Sequence, residues 1–149
     1  MTNKNRLSDE FKHVLEKAAE FHGHLGPFLT IGVKMGLIGL NKVGIDRSES
    51  LTVIASLPFH VPFSCIIDGI QVSTNCTVGN RKLSINDSLH IQAIFKRKDN
   101  GQKVIVALNQ VTFEKLKSKL LQNTLQDEEV RELAWKVAKI PEDELFIVT

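Results

Sequence analysis

From Leu7 onward the apolar positions Leu7, Phe11, Val14, Leu15 and Ala18 recur at the three-and-four spacing of one helical face. Ser8 precedes the run as a cap, and Asp9 and Glu10 occupy a first turn where the helix dipole favours acids. The pattern predicts a helix ending near Phe21. A second helix opens at Pro27, whose fixed φ suits a first helical position, and extends to Asn41. Gly32, Gly36 and Gly39 strip one side of it. Each costs about 1 kcal/mol relative to alanine in a helix, so their presence predicts that another backbone approaches closely there.

Strict alternation takes over at Leu51, Val53, Ala55 and Leu57, a first strand that stops at Pro58. A second is expected from Leu89 to Lys96, with Leu89, Ile91, Ala93 and Phe95 on one face. Asn100-Gly101 is a hairpin signal leading to a third strand through Val104, Val106 and Leu108, antiparallel to the second. Between the first two strands, Pro62 to Val72 reads as a short helix capped by Ser64. Two more helices follow, from about Phe113 to Leu121 and from about Asp127 to Lys139. Val130, Leu133, Ala134, Val137 and Ala138 form the apolar stripe of the latter, Trp135 sits off its centre, and Pro141 stops it. Leu145 to Val148 adds a short strand or packs against a partner. The order ααβαββααβ, with no repeat or linker, predicts one α+β domain over residues 1–149: an antiparallel sheet with a hairpin, packed against several helices.

Composition narrows the functional classes. At 149 residues and 42% hydrophobic the chain can bury a substantial core. A formal charge of +2 does not argue for nucleic acid, and Lys96, Arg97, Lys98, Lys103, Lys115, Lys117 and Lys119 read as a solvated face. The longest apolar-leaning run, Phe28 to Val43, contains Lys34 and Lys42 and falls short of the roughly 20 residues of a membrane span. Polar Met1 to Arg6 carries no apolar signal region, so a cytoplasmic location is expected. Two cysteines, Cys65 and Cys76, with no CxxC pair, speak against a disulfide scaffold.

The chemistry concentrates in two segments. His22-Gly23-His24-Leu25-Gly26-Pro27 places two imidazoles at i and i+2 between two helices. On extended backbone both side chains face one way and can share a metal or a substrate group. In the second segment Cys65 stands in the first turn of a helix, where the dipole favours thiolate, and Asp68 follows on the same face. Such a pair can ligate a metal or act as nucleophile and base; the plain alternative is a buried structural cysteine beside a surface aspartate. Cys76-Thr77-Val78-Gly79-Asn80 forms a turn. On an unbroken helix Cys65 and Cys76 would stand about 16 Å apart, too far for a disulfide or a shared ion. His60, just before the Cys65 helix, could close the same pocket; His13 reads as surface, and His90 as exposed or pocket-lining.

Together these segments resemble the FmdE family, associated with formylmethanofuran dehydrogenase. The residues carrying the resemblance are Phe21 to Pro27, Cys65-Ile66-Ile67-Asp68-Gly69-Ile70-Gln71, and Cys76 to Asn80. It spans Leu7 to about Leu108, with a family-like tail from Asp127 to Val148. Gly26 stands where the family pattern HGH-x-CP has cysteine, Asn75 where it has glycine, and Ser88 where it has lysine. The resemblance implies a homodimeric α+β core domain, without the C-terminal zinc finger that some members append. It further implies an accessory protein of the molybdenum or tungsten enzymes of one-carbon metabolism. His22, His24 and Cys65 would hold a divalent metal, most simply zinc, with Asp68, Cys76, Thr77 and His60 around the pocket. The alternative function is a metal-free module that binds a small ligand or a partner through a pocket with a structural or redox-sensitive cysteine.

Overall fold

A computed structural model describes residues 7–45, 50–120 and 125–149. Helix α1, Asp9–His22, starts where Ser8 accepts the Phe11 N–H on its hydroxyl. Helix α2, Pro27–Val43, runs two residues past the expected end, until Gly44 at φ 75° closes it. Strand β1, Leu51–Leu57, is followed by helix α3, Cys65–Thr74, then β2, Leu83–Asp87, β3, Gln92–Arg97, and β4, Lys103–Leu108. Helices α4, Gln110–Leu120, α5, Asp127–Lys139, and α6, Glu142–Leu145, lead into β5, Phe146–Val148. No helix among the described residues is long and apolar enough to cross a membrane.

The five strands lie in the order β2-β1-β3-β4-β5. All neighbours are antiparallel except β1 and β2, so the expected antiparallel sheet holds apart from one parallel pair at its edge. The parallel pair is produced by β1-α3-β2, because a parallel return needs a crossover and α3 supplies it. Strand β2 was not in the expected order. As an edge strand reading Leu-Ser-Ile-Asn-Asp with only Leu83 buried, it carries too little alternation to announce itself. The predicted start of the next strand at Leu89 is likewise corrected: Leu89 is 85% exposed, and pairing begins at Gln92. Asn100-Gly101 does reverse the chain, with Gly101 at φ 74° donating its N–H to the Arg97 carbonyl.

One face of the sheet is covered. Val53, Ala55, Ala93, Phe95, Val106 and Leu108 pack there against Phe28, Ile31 and Met35 of α2, with α3, α4 and α5 completing the core. Helix α2 lies at the centre and contacts α1, α3, α5, β3 and β4. The glycine prediction holds at the α2–α3 crossing. A Cβ on Gly32 would lie 2.1 Å from the Ile66 carbonyl oxygen, and one on Gly69 would lie 2.4 Å from the Leu29 carbonyl oxygen. Each helix thus presents a glycine to the other's backbone. Gly36 and Gly39 meet side chains instead, those of Ser73 and Phe95.

Lys34 ties α2 to α5. Its ammonium donates to the carbonyls of Val137, Ala138 and Ile140, at 3.3, 3.0 and 2.5 Å, so a cation ends the α5 dipole. Burial pulls its pKa down to about 8, against the smaller opposing pull of Glu142. Trp135, off the main stripe as expected, joins the smaller cluster of α1 and α2 around Leu15, Ala18, Leu29 and Val33.

Candidate functional site

His22 is the last residue of α1, and Gly23, at φ 105°, ends that helix in a left-handed conformation that glycine adopts without a Cβ penalty. The two imidazoles converge, but not on the extended backbone expected from their spacing. A helix end followed by a left-handed turn brings the rings to 4.8 Å between centroids, tilted by 43°. Gly26 then caps α2 in an extended conformation, and its carbonyl accepts both the Thr30 N–H and the Thr30 hydroxyl.

Opposite them stands the start of α3. The segment 60–67 enters that helix through a ladder of tight turns, including Ser64 N–H to His60 O and Cys65 N–H to Pro62 O. Ser64 occupies the cap position with a helical backbone, and its hydroxyl makes no cap bond, which corrects the expected Ser64 cap. The turns already use the backbone groups that a cap would serve. A small cavity of about 60 Å³ lies between His22, His24, Gly26, Pro62, Cys65 and, from α5, Val130. That is room for an ion with one or two waters, since water occupies about 30 Å³ in the liquid.

The expected thiolate at Cys65 is corrected. Burial pushes its thiol up first, the Asp68 carboxylate pushes it further, and its own backbone N–H pulls down least. The two raising influences therefore outweigh the lowering one, against the thiolate expected from the first-turn position. Asp68 faces His22 instead, with Oδ2 2.6 Å from Nδ1. A carboxylate only accepts, so His22 carries a proton on Nδ1, and in the neutral imidazole Nε2 is then the lone-pair donor. Gln71, three residues on, donates from Nε2 to the other oxygen, Asp68 Oδ1, at 3.2 Å.

The remaining predicted pocket residues lie elsewhere. His60 is exposed and stands edge-on to Phe63 at 5.1 Å, and it does not line the cavity. Cys76 is fully buried beyond the far end of α3, where its thiol donates to the Leu51 carbonyl at 3.6 Å. Its pKa is raised, chiefly by burial. Both cysteines are free thiols. Thr77 belongs to the turn after α3, where its N–H donates to Asn80 Oδ1 and its hydroxyl accepts the Asn80 N–H. His90 is exposed. Val130 and Gln71 were not foreseen as site residues. Gln71 carried one local signal, its three-residue offset from Asp68 on the same helix.

Two imidazoles, one oriented by a carboxylate, and a thiol make a donor set of the borderline kind that suits zinc. Among the described residues, no three His, Cys, Asp or Glu side chains yet stand close enough to share an ion. The donor types fit the chemistry, although the described side chains are not gathered around one point.

A one-sided mixed sheet covered by helices defines an α+β domain, with a small, mostly apolar cavity where α1, α2 and α3 meet that carries two imidazoles and a thiol. The family model described as FmdE, molybdenum formylmethanofuran dehydrogenase operon, matches residues 21–147, and the chain belongs to that family. It is 30% identical over 151 aligned positions to a probable S-adenosyl-L-methionine-binding protein of Archaeoglobus fulgidus. That alignment takes in 90% of this chain and 41% of the relative, so the chain spans well under half the relative's length. The fold is similar to that of a tungsten formylmethanofuran dehydrogenase FmdE-like protein from Syntrophus aciditrophicus. The TM-score is 0.59 at 22% identity, over 100% of this chain and 76% of that one.

Proposed function

We propose that this FmdE-family domain is a metal-binding accessory protein that serves molybdenum or tungsten formylmethanofuran dehydrogenase chemistry in the cytoplasm. In this reading His22, His24 and Cys65 hold one divalent ion, most simply zinc. The observation that carries it is the 2.6 Å contact from Asp68 to His22 Nδ1, which turns Nε2 into the available donor, as a carboxylate–histidine–metal arrangement requires. An ion bound by three protein ligands keeps an open position that can polarise a carbonyl or activate water. The association with the dehydrogenase is supported by the family match and by the likeness to the Syntrophus protein.

Elemental analysis of protein purified without added metal tests the reading. Near-stoichiometric metal in the wild type is expected, with loss of at least tenfold in affinity for His22→Ala and Cys65→Ala. Absence of stoichiometric metal, with no difference among the three proteins, sinks it.

A metal-free pocket is the second reading, favoured by the raised Cys65 thiol, which is a poor ligand until deprotonated. Its ligand would be small. A cavity of about 60 Å³ is far below the roughly 300 Å³ at which pockets for metabolite-sized ligands begin, so a nucleoside such as the one in the Archaeoglobus protein's name does not fit there. Equal alkylation of Cys65 with and without a chelator would favour this second reading.

A homodimer is part of the proposal. Cross-strand neighbours Ile54, Ile94 and Ile105 lie on the sheet face opposite the core, partly exposed side by side. An apolar stripe of this kind suits a self-complementary two-fold contact. Light scattering should give twice the chain mass, and Ile94→Lys should halve it; a monomeric wild type contradicts the dimer.

A further inference from the structure

The turn at 75–80 contributes no side chain to the cavity, yet it is joined to His22 by a polar chain of fixed direction. Val78 N–H donates to Gln71 Oε1 at 3.0 Å. A backbone N–H can only donate, so this contact fixes which end of the Gln71 amide is oxygen. The other end must be the amide nitrogen, and it donates to Asp68 Oδ1 at 3.2 Å. Asp68 Oδ2 is then left to accept from His22 Nδ1 at 2.6 Å. Every link has one permitted sense: Val78 donates to Gln71, and Gln71 and His22 both donate to the Asp68 carboxylate.

The anchor of this chain is itself well held. Asn80 donates from Nδ2 to the Asn75 carbonyl at 2.7 Å, and its Oδ1 accepts the N–H groups of Thr77 and Lys82, each at 3.0 Å. Asn75, at φ 60°, ends α3 in the left-handed conformation that lets the chain fold back toward Gln71. Thr77 to Asn80 therefore present the Val78 N–H in one direction.

We propose that Gln71 is a positioning residue: held by the Val78 N–H, it pins the Asp68 carboxylate in the orientation that turns Oδ2 to His22 Nδ1, and so keeps the neutral imidazole in the tautomer with its lone pair on Nε2. The inference deepens the metal-site reading by assigning a role to the 75–80 segment, orienting a ligand rather than supplying one. It does not need the ion to be present.

The test is made on metal-free protein in excess chelator, at about pH 9, where imidazoles are ordinarily neutral. Nitrogen-15 imidazole shifts of His22 report which ring nitrogen carries the proton. In the wild type, Nε2 is expected in the unprotonated range. Gln71→Met removes the donor to Asp68. Gln71→Glu keeps an acceptor for Val78 but turns a second oxygen toward Asp68. Both should move Nε2 toward the protonated range, with the rest of the amide spectrum unchanged beyond α3 and the 75–80 turn. Gln71→Glu separates direction from bulk, because it preserves side-chain length. A wild-type tautomer retained in either variant overturns the proposal, as does a wild-type His22 protonated on Nε2. Since no metal is present, these outcomes are independent of whether the metal-site reading stands.

Discussion

Replacing Gly32 with alanine is the sharpest test of how the site is assembled, because the cavity lies where α2 and α3 begin and their crossing sets its width. The added Cβ would sit 2.1 Å from the Ile66 carbonyl oxygen, 2.9 Å from its carbonyl carbon and 3.0 Å from its Cα. Carbon and oxygen approach to about 3.3 Å without strain, so the helices must part by about 1 Å. All three obstructing atoms are backbone, and no rotamer change relieves them. Parting the helices also undoes the reciprocal contact, in which Gly69 lies against Leu29 O and Val33 N. Overpacking costs about 1–3 kcal/mol, and this contact belongs at the upper end. Alanine returns about 1 kcal/mol of helix propensity, leaving a net loss of about 2 kcal/mol. Urea unfolding followed by far-ultraviolet circular dichroism should show a lower midpoint at unchanged slope. The melting temperature should fall by about 4–8 °C for a domain of this size. Gly79→Ala is the control, since its Cβ would have only Thr77 Oγ1 nearby, at 3.9 Å, and should stay within about 0.5 kcal/mol of wild type. A Gly32→Ala variant as stable as that control would refute the reasoning.

Lys34 gives a pH signature of known sign. Its folded pKa of about 8 lies below the free value of 10.5, so between those pH values the unfolded chain holds a proton that the folded chain lacks, and stability rises with pH. The full shift corresponds to about 3 kcal/mol, reduced to about 2 kcal/mol because the ammonium is only partly buried. The stability of wild type minus that of Lys34→Met should therefore grow by that amount from pH 7 to 10.5, and a flat difference contradicts it. In thiol labelling, Cys65 should react more slowly than a free cysteine at pH 8, because burial and Asp68 hold it protonated. Cys76 should react only on unfolding; labelling of both at equal rates in the folded state would contradict this. Gly101→Ala should cost about 1 kcal/mol in thermal unfolding, because alanine is strained at φ 74°, and an unchanged melting temperature would contradict it.

Helix α5 is the element that could be read most fully from the chain. Acidic residues open it, an apolar stripe runs along it, and Pro141 stands just beyond its end, so Asp127–Lys139 falls where the pattern puts it. The hairpin before β4 was legible for a similar reason, since Asn100-Gly101 is a local instruction. Strand β2 was not. Its place beside β1 depends on a crossover through α3, and its own residues are mostly polar. At the site, the motif spacing singled out His22, His24, Cys65 and Asp68 as candidates but misjudged two of their local states. Cys65 was expected as a thiolate from its position in a helix, and burial beside Asp68 reverses that. His22 and His24 were expected to converge through extended backbone, and a helix end with a left-handed glycine does it instead.

The α+β class, most helix boundaries and the two segments that carry histidine and cysteine follow from the order of residues alone. Periodicity, caps and turn residues act between neighbours a few positions apart, and such neighbours are adjacent in the chain before it folds. Three outcomes required the folded chain: Asp68 meets His22 across 46 residues, Gln71 stands behind it, and Cys76 leaves the pocket for the core. They depend on burial and on which groups face one another through space. Here both follow from two helices crossing closely enough, at Gly32 and Gly69, to bring the start of α3 against the end of α1.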